Sequence, residues 1–265
     1  MTQYRWPDEY VTSALENIRS QTPLVYGLTN YIAAPLSANL LLAVGASPAI
    51  GGALLSSAQH FATIAGGVWV NLAALNSDGP EVILAAARAA HDGNVPWVFD
   101  PVTVGAGAVE NEQLAAELLE LRPDVIRGNA SEVIALAGGA STSRGVDSTA
   151  HPAQALPLAK ELAKRTGGIV SVSGPTDLIT DGDTVHEVPG GHVNLTLVTG
   201  TGCSLGGLVA AFLAVNDDRL QSATAAHAVL AIAAERAAAD TRGTGSFAVR
   251  LLDEVSVLGA DAVGV

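Results

Sequence analysis

Thr199-Gly200-Thr201-Gly202-Cys203 sets two glycines and the only cysteine of the chain directly before Ser204 to Leu213, where Leu205, Leu208, Val209 and Phe212 recur at helical spacing. A helix start presents backbone N–H groups without intrahelical acceptors, together with the positive end of the helix dipole, and glycines let an anion approach that backbone. The stretch therefore has the chemistry of a phosphate cradle, with Gly200, Thr201 and Gly202 as the anion hole. The same field favours a thiolate, so Cys203 is expected to be more acidic than a free cysteine and is the candidate catalytic group. A lone cysteine also serves as a small buried hydrophobe, and glycines serve close helix packing, so both readings stand at this point.

Ligands of open α/β sheets bind beyond the carboxyl ends of the strands, and further polar groups follow strand-like runs here. Asp100 ends Trp97-Val98-Phe99 and leads into the turn Val102 to Gly107. A carboxylate there either holds Mg²⁺ beside a polyphosphate, directly or through water, or is an ordinary turn aspartate. Asn129 and Glu132 have the spacing of a capping box, which accounts for that pair structurally. It accounts less well for Arg127, whose guanidinium at a strand end costs desolvation unless it meets an anion. Ser173-Gly174 offers a hydroxyl and a close backbone after another strand, or a plain turn. The six histidines are scattered, with no zinc-like spacing. His227 reads as a packed core or interface residue, and a Cys-His hydrolase using Cys203 with His192 or His227 has no local support. Neither a Walker A loop nor a Gly-x-Gly-x-x-Gly after the first strand is present, so a nucleotide needs another phosphate-holding plan.

These residues require a scaffold of alternating strands and helices. Strands are expected at Val25 to Thr29, Gly67 to Asn71, Trp97 to Asp100, Val125 to Gly128 and Ile169 to Ser173. Helices are expected at Ala33 to Val44, Glu81 to His91, Glu112 to Leu121, Ser131 to Ala137 and Ala153 to Arg165. Asp177 to Val188 reads as a hairpin around Asp181-Gly182 at one sheet edge, and Ser222 to Asp240 and Phe247 to Leu258 as closing helices. Gly138 to Thr149, rich in Gly, Ser and Thr, is the expected mobile loop. The expected fold is α/β, a largely parallel central sheet with helices on both faces and a small edge hairpin, in one domain spanning 1–265.

A formal charge of -13 with 13 Lys plus Arg disfavours a nucleic-acid or anionic-membrane partner, and neither is expected. One cysteine excludes an intrachain disulfide, and the opening Met1 to Asp8 has no apolar signal core, so a cytoplasmic protein is expected. No Asp, Glu, Lys or Arg occurs between Arg19 and Asp78, nor from Val188 to Asn216. Pro35, Asn39, Gly45, Pro48, Gly51 and Gly52 break the first tract below the roughly 20 apolar residues of a membrane span. Such tracts read as interior or as a subunit contact.

Taken together, Leu28-Thr29-Asn30, Ala38-Asn39, Gly45-Ala46-Ser47-Pro48, Phe99-Asp100-Pro101-Val102, Ile126 to Glu132, Asp177 to Gly182, Gly191-His192, Val198 to Cys203 and Gly245-Ser246-Phe247 resemble the hydroxyethylthiazole kinases of the ribokinase-like group. The resemblance runs from about Pro23 to Leu252. It implies a ribokinase-like fold and ATP-dependent phosphorylation of the primary hydroxyl of 4-methyl-5-(2-hydroxyethyl)thiazole with Mg²⁺. A homotrimer with sites between subunits is implied as well. By position, Asn30, Ile50 and Gly200 would border the thiazole, Arg127 and Ser173 would contact ATP, and Asp100 and Glu132 would organise Mg²⁺ and the phosphates. Cys203 would stand where ribokinase-like enzymes usually place an aspartate base. The chain departs from the family pattern at Ile50 (often Met), Tyr26 (often His), Thr103 (Gly), Leu197 (often Lys) and Ser173-Gly174-Pro175 (Thr-Gly-Glu). An ATP- or ADP-dependent hydro-lyase of hydrated nicotinamide cofactors on the same fold is the alternative, and Cys203 in place of an aspartate counts against it. A non-enzymatic nucleotide-binding or assembly protein is the third reading, opposed by the set Asp100, Arg127, Glu132 and Cys203.

Overall fold

The computed structural model describes residues 1–52, 54–139 and 151–259. In chain order it forms β1 (Thr2–Gln3), α1 (Glu9–Gln21), β2 (Leu24–Leu28), α2 (Ala34–Val44), β3 (Ser47–Ile50), α3 (Leu55–Ile64), β4 (Gly67–Asn71), α4 (Pro80–Asp92), β5 (Trp97–Asp100), α5 (Val109–Glu120), β6 (Val125–Asn129) and α6 (Ala130–Leu136). It continues with α7 (Pro152–Thr166), β7 (Ile169–Ser173), β8 (Thr176–Thr180), β9 (Val185–Pro189), α8 (Thr201–Leu213), α9 (Arg219–Ala239) and α10 (Thr244–Val257). Of the expected loop from Gly138 to Thr149, residues 140–149 lie outside the described residues.

The strand order is β1-β9-β8-β7-β6-β5-β4-β2-β3 among the described residues, and the run from β3 to β7 is parallel throughout. The expected hairpin is β8–β9, antiparallel to each other, with β8 also antiparallel to β7. It is not the sheet edge, because Thr2 and Gln3 add a parallel strand outside β9, opposite His186 and Glu187. A two-residue strand carries no periodicity, so the sequence pattern is silent about it. At the other end β3 extends the sheet beyond β2, inside the charge-free tract; Pro48 is tolerated there because the strand is an edge. Helices α1 and α3 also go beyond the expected elements, although Val11, Ala14, Leu15 and Ile18 of α1 are buried at helical spacing.

Alternation along the strands sorts side chains to two faces. Val25, Trp69, Val98, Val125 and Ile169 join one core with α1, α2, α8, α9 and α10, whereas Val68, Val70, Phe99, Ile126 and Val170 join a second with α3 to α7. The same two-residue period carries Asn71, Asp100 and Ser173, at the carboxyl ends of their strands, and Arg127, two residues before the end of β6, to the α8 face. In the parallel register Asn71 lies opposite Asp100, and Asn129 opposite Ser173. Helix α8 sits directly on the sheet: a β-carbon at Gly67 would lie 2.3 Å from the Ala210 carbonyl oxygen. The tract between Arg19 and Asp78 divides accordingly. Leu40, Leu41 and Val44 are fully buried, while Tyr31, Ile32 and Leu54 are 70%, 58% and 65% exposed. No helix among the described residues is long and apolar enough to cross a membrane.

Candidate active site

Gly200 is the residue before α8 and has φ 93°, the left-handed region that glycine adopts without strain. A β-carbon there would also lie 3.2 Å from the Ala33 Cα, so the start of α8 abuts the start of α2. Ser204 N donates to the Gly200 carbonyl at 2.8 Å, which places the N–H groups of Gly202 and Cys203 ahead of the helical ladder. Thr201 Oγ1 donates to the Val198 carbonyl at 3.0 Å and ties this helix start to the preceding segment. Asn30 Oδ1 accepts from Ile32 N at 2.9 Å and Ala33 N at 2.8 Å, holding the turn that brings Ala33 against Gly200. Ile50 is half-buried at the end of β3, opposite Gly27, and its Cγ1 would lie 3.7 Å from a β-carbon at Gly27. Asn30, Ile50 and Gly200 thus gather around the end of β2.

Beneath the helix start lies a buried charged cluster. Asp100, Arg127 and Glu132 are 0%, 7% and 4% exposed. Arg127 Nη1 donates to both Asp100 oxygens at 3.4 Å, while Nε and Nη2 donate to Ser173 Oγ at 3.2 and 2.9 Å. A β-carbon at Gly202 would lie 3.6 Å from Nη2 and 3.8 Å from Nη1, so the guanidinium faces the first turn of α8. Glu132 completes the expected capping box, accepting from Asn129 N at 2.8 Å while Asn129 Oδ1 accepts from Glu132 N at 2.9 Å. Its other oxygen accepts from Thr103 N at 3.3 Å. The capping role is therefore real, and it fixes the carboxyl beside Asp100 rather than competing with a site role.

The electrostatics follow from burial. Burial pushes Asp100 up to about 6 even though Arg127 and Asn71 favour its ionised form. Burial and the charge of Asp100 push Glu132 up to about 7. Burial opposes the Arg127 charge, yet Asp100, Glu132, Cys203 and Asp177 together hold it above its ordinary range. The expected acidic thiol at Cys203 is corrected: burial, then the charge of Asp100, pushes it up to about 11, and at neutral pH it is a thiol. Asn71 and Arg127 favour the thiolate, but burial first, and then the charges of Asp100 and Glu132, outweigh them.

Asn71 was missed. Its Nδ2 donates to Asp100 Oδ2 at 3.0 Å, its Oδ1 accepts from Ala73 N at 2.9 Å, and it meets the Cys203 thiol. Its place at the carboxyl end of an expected strand was the available signal. His227 is buried as expected, with Nδ1 on Asp177 Oδ2 at 2.7 Å, and His192 Nδ1 accepts from Asn194 N at 3.2 Å. The Cys-His arrangement is therefore not formed. Tyr26 points to the α3–α4 face, stacked on Phe61 at 5.6 Å, away from the cluster. Thr103 has φ 69°, unfavourable for a β-branched residue, which explains why glycine suits that turn. Leu197 is 60% exposed. Two surface cavities, of about 720 and 420 Å³, lie elsewhere and include neither Asp100 nor Cys203.

The chain from residue 15 to 261 matches the model of the hydroxyethylthiazole kinase family. It is 54% identical over 258 residues to the hydroxyethylthiazole kinase of Burkholderia pseudomallei (strain 1710b), covering 97% of this chain and 93% of that one. Among solved structures, the hydroxyethylthiazole kinase of Pyrococcus horikoshii OT3 superposes with a TM-score of 0.85 at 31% identity, covering 96% of each chain. A ribokinase-like superfamily protein of Enterococcus faecalis V583 shares the fold at a TM-score of 0.61 and 12% identity, over 96% of this chain and 91% of that one. None of these supports the hydro-lyase alternative. The fold is ribokinase-like, and the chain belongs to the hydroxyethylthiazole kinase family.

Proposed function

We propose that this protein transfers the γ-phosphoryl group of ATP to the primary hydroxyl of 4-methyl-5-(2-hydroxyethyl)thiazole. The observation that carries the reading is the guanidinium of Arg127, which faces Asp100, Ser173 and Gly202 at once. A cation so placed, beside the free N–H groups of a helix start, matches a transferring phosphoryl group whose charge needs stabilising more than covalent help. The hydroxyl oxygen bonds to the γ-phosphorus as the bond to the β,γ-bridging oxygen breaks, ADP leaves, and the hydroxyl proton passes late to an oxygen of the transferred phosphoryl group and from there to water. Gly202 and Cys203 N–H and Arg127 hold the phosphate oxygens; Ser173 adds a hydroxyl. Asn30, Ile50 and Gly200 border the thiazole, and the Cys203 thiol orients its alcohol arm.

Mg²⁺ fits the donor set. No group of three or more His, Cys, Asp and Glu is arranged for a metal among the described residues. Mg²⁺ needs only one or two carboxylates beside substrate phosphates and its own waters, however, and Asp100 and Glu132 are hard oxygen donors whose pKa values are raised chiefly by burial, a cost that a cation would offset. Bound there, it would neutralise charge on the polyphosphate. The exposed apolar residues Tyr31, Ile32 and Leu54 flank Asn30 and Ile50, which supports a homotrimer whose subunits cover each other's thiazole sites. ADP release, measured with the thiazole alcohol, pyrimidine alcohols and hydrated nicotinamide cofactors, tests the reading. Mg²⁺-dependent turnover with the thiazole alcohol is expected, and turnover confined to another substrate would overturn it.

A further inference from the structure

The carboxylate of Asp177 joins two elements that the phosphate chemistry does not itself use. Its Oδ1 accepts from Gly174 N at 2.7 Å, and its Oδ2 accepts from His227 Nδ1 at 2.7 Å. Gly174 is the residue after Ser173, and its turn is gripped from the other side by α7, since a β-carbon at Gly174 would lie 2.3 Å from Pro152 Cγ. His227 sits within α9 between Ala226 and Ala228, is 1% exposed, and its Nε2 has no hydrogen-bond partner among the described residues. A buried imidazole with one nitrogen unmatched is costly, and an aliphatic side chain would fill similar space. What the histidine adds is its one hydrogen bond to Asp177. Downstream of that bond, Ser173 Oγ accepts from both Nε and Nη2 of Arg127. A hydroxyl that accepts twice keeps its own O–H free to donate to an anion.

We propose that Asp177 and His227 form a positioning pair for the nucleotide site, holding the Ser173–Gly174 turn so that the Ser173 hydroxyl and Arg127 present one donor surface to the ATP phosphates. The proposal rests on the reading of Ser173 and Arg127 as ATP contacts. Neither Asp177 nor His227 needs to touch ATP. Losing the pair should loosen the turn and weaken the nucleotide while leaving the thiazole side, built on β2, β3 and α2, as it was.

The test is calorimetric binding of a non-hydrolysable ATP analogue, and separately of the thiazole alcohol, to intact wild type and to His227→Leu, Asp177→Ala, Asp177→Asn and Ser173→Ala. His227→Leu and Asp177→Ala are expected to weaken the analogue about tenfold or more, the scale of a lost buried hydrogen bond, with alcohol affinity within about twofold. Asp177→Asn keeps an oxygen for Gly174 N and a partner for the imidazole, and should recover most of the loss. In a Ser173→Ala background, His227→Leu should add little, because the pair acts through Ser173. If His227→Leu fails to fold, the comparison of Asp177→Asn with Asp177→Ala carries the same reading. Unchanged analogue affinity in folded His227→Leu overturns the positioning role, as does an equal fall in both affinities. Unchanged analogue affinity in Ser173→Ala instead sinks the nucleotide reading of Ser173, and the pair's role with it.

Discussion

Trp69 occupies the space that Gly206 leaves open: a β-carbon at 206 would lie 2.4 Å from the indole Nε1, 2.9 Å from Cδ1 and 3.2 Å from Asp100 Oδ2. Gly27 and Gly207 meet the opposite side of the ring, with β-carbon positions 2.8 and 3.3 Å from Cε3. One of the two tryptophans of the sheet is thus slotted between glycines of β2 and α8, one layer below the charged cluster.

Gly206→Ala should therefore destabilise by about 1–3 kcal/mol, the usual cost of overpacking a filled core, and should alter the fluorescence of Trp69. Trp69→Leu alone carries its own cavity cost, but in that background Gly206→Ala should cost little more, because the clash is with the ring. Denaturant unfolding of the three variants checks this. A Gly206→Ala protein as stable as wild type would mean that α8 shifts without cost.

Stability should depend on pH in the direction opposite to that of most carboxylates. Asp100 and Glu132 titrate near 3.8 and 4.5 when unperturbed and are pushed up to about 6 and about 7 in the fold. Above pH 4 the folded chain therefore holds protons that the unfolded chain has released, and stability falls as pH rises until about 7. The ligand-free protein should lose melting temperature across that window relative to Glu132→Gln. Mg²⁺ with nucleotide should flatten the difference, because the cation replaces the missing protons. A wild type that gains on Glu132→Gln as pH rises would contradict the assignment.

Much of this site was legible because it rests on rules that a sequence exposes. The glycines at 200 and 202 precede an apolar helical period, Asp100 and Ser173 close apolar strands, and Arg127 sits within another two residues before its end. What escaped notice depends on three dimensions. β1 is too short for a pattern, and β3 contains a proline that only an edge allows. The expected acidity of Cys203 rests on a helix start that is local in sequence, whereas the burial of the thiol and the nearby Asp100 and Glu132 arise only through the fold. Glu132 shows the converse, since its cap was readable and its burial beside Asp100 was not.

Arg127→Ala removes the cation from three partners and leaves Asp100 buried without its charge partner, a change that typically costs about 3–5 kcal/mol. Catalytic efficiency with ATP should fall by about 10²- to 10³-fold, as when one oriented donor to a transition state is lost. Arg127→Lys returns the charge but cannot reach Asp100 and Ser173 together, so it should recover stability more than turnover. Steady-state kinetics alongside melting curves separate the two. Full turnover in Arg127→Lys would reduce the role to simple charge.

Ile32→Glu places a charge on the exposed apolar rim beside Asn30 and should dissociate the proposed homotrimer, with loss of thiazole turnover. Sedimentation at micromolar concentration reads the outcome. Wild type that sediments as a monomer, with or without ligand, would remove the shared-site arrangement.

Cys203 separates two roles that its position alone leaves joined. A thiol pushed up to about 11 is protonated at neutral pH and has no lone base to offer, but it can still orient an alcohol beside Asn71 and the anion hole. A loose phosphoryl-transfer transition state needs little deprotonation of the attacking oxygen, so orientation suffices. If the thiolate were the base, kcat would climb about tenfold per pH unit between 7 and 9, following the ionised fraction. An orienting thiol predicts a flat profile, and a Cys203→Ala loss below the roughly 10²- to 10⁴-fold of general base catalysis, with ATP affinity nearly unchanged. Cys203→Ser should keep much of the activity, because its hydroxyl can orient the alcohol too. Cys203→Asp supplies a base, so its turnover should exceed that of the alanine variant. It also adds a third carboxyl beside Asp100 and Glu132, so its ligand-free form should be less stable and should recover with Mg²⁺. Profiles of kcat against pH for the four proteins, with nucleotide binding measured separately, distinguish the roles. A tenfold-per-unit rise in wild type that vanishes in Cys203→Ala would restore the thiolate as base, and equal kcat in wild type and Cys203→Ala would remove the residue from catalysis altogether.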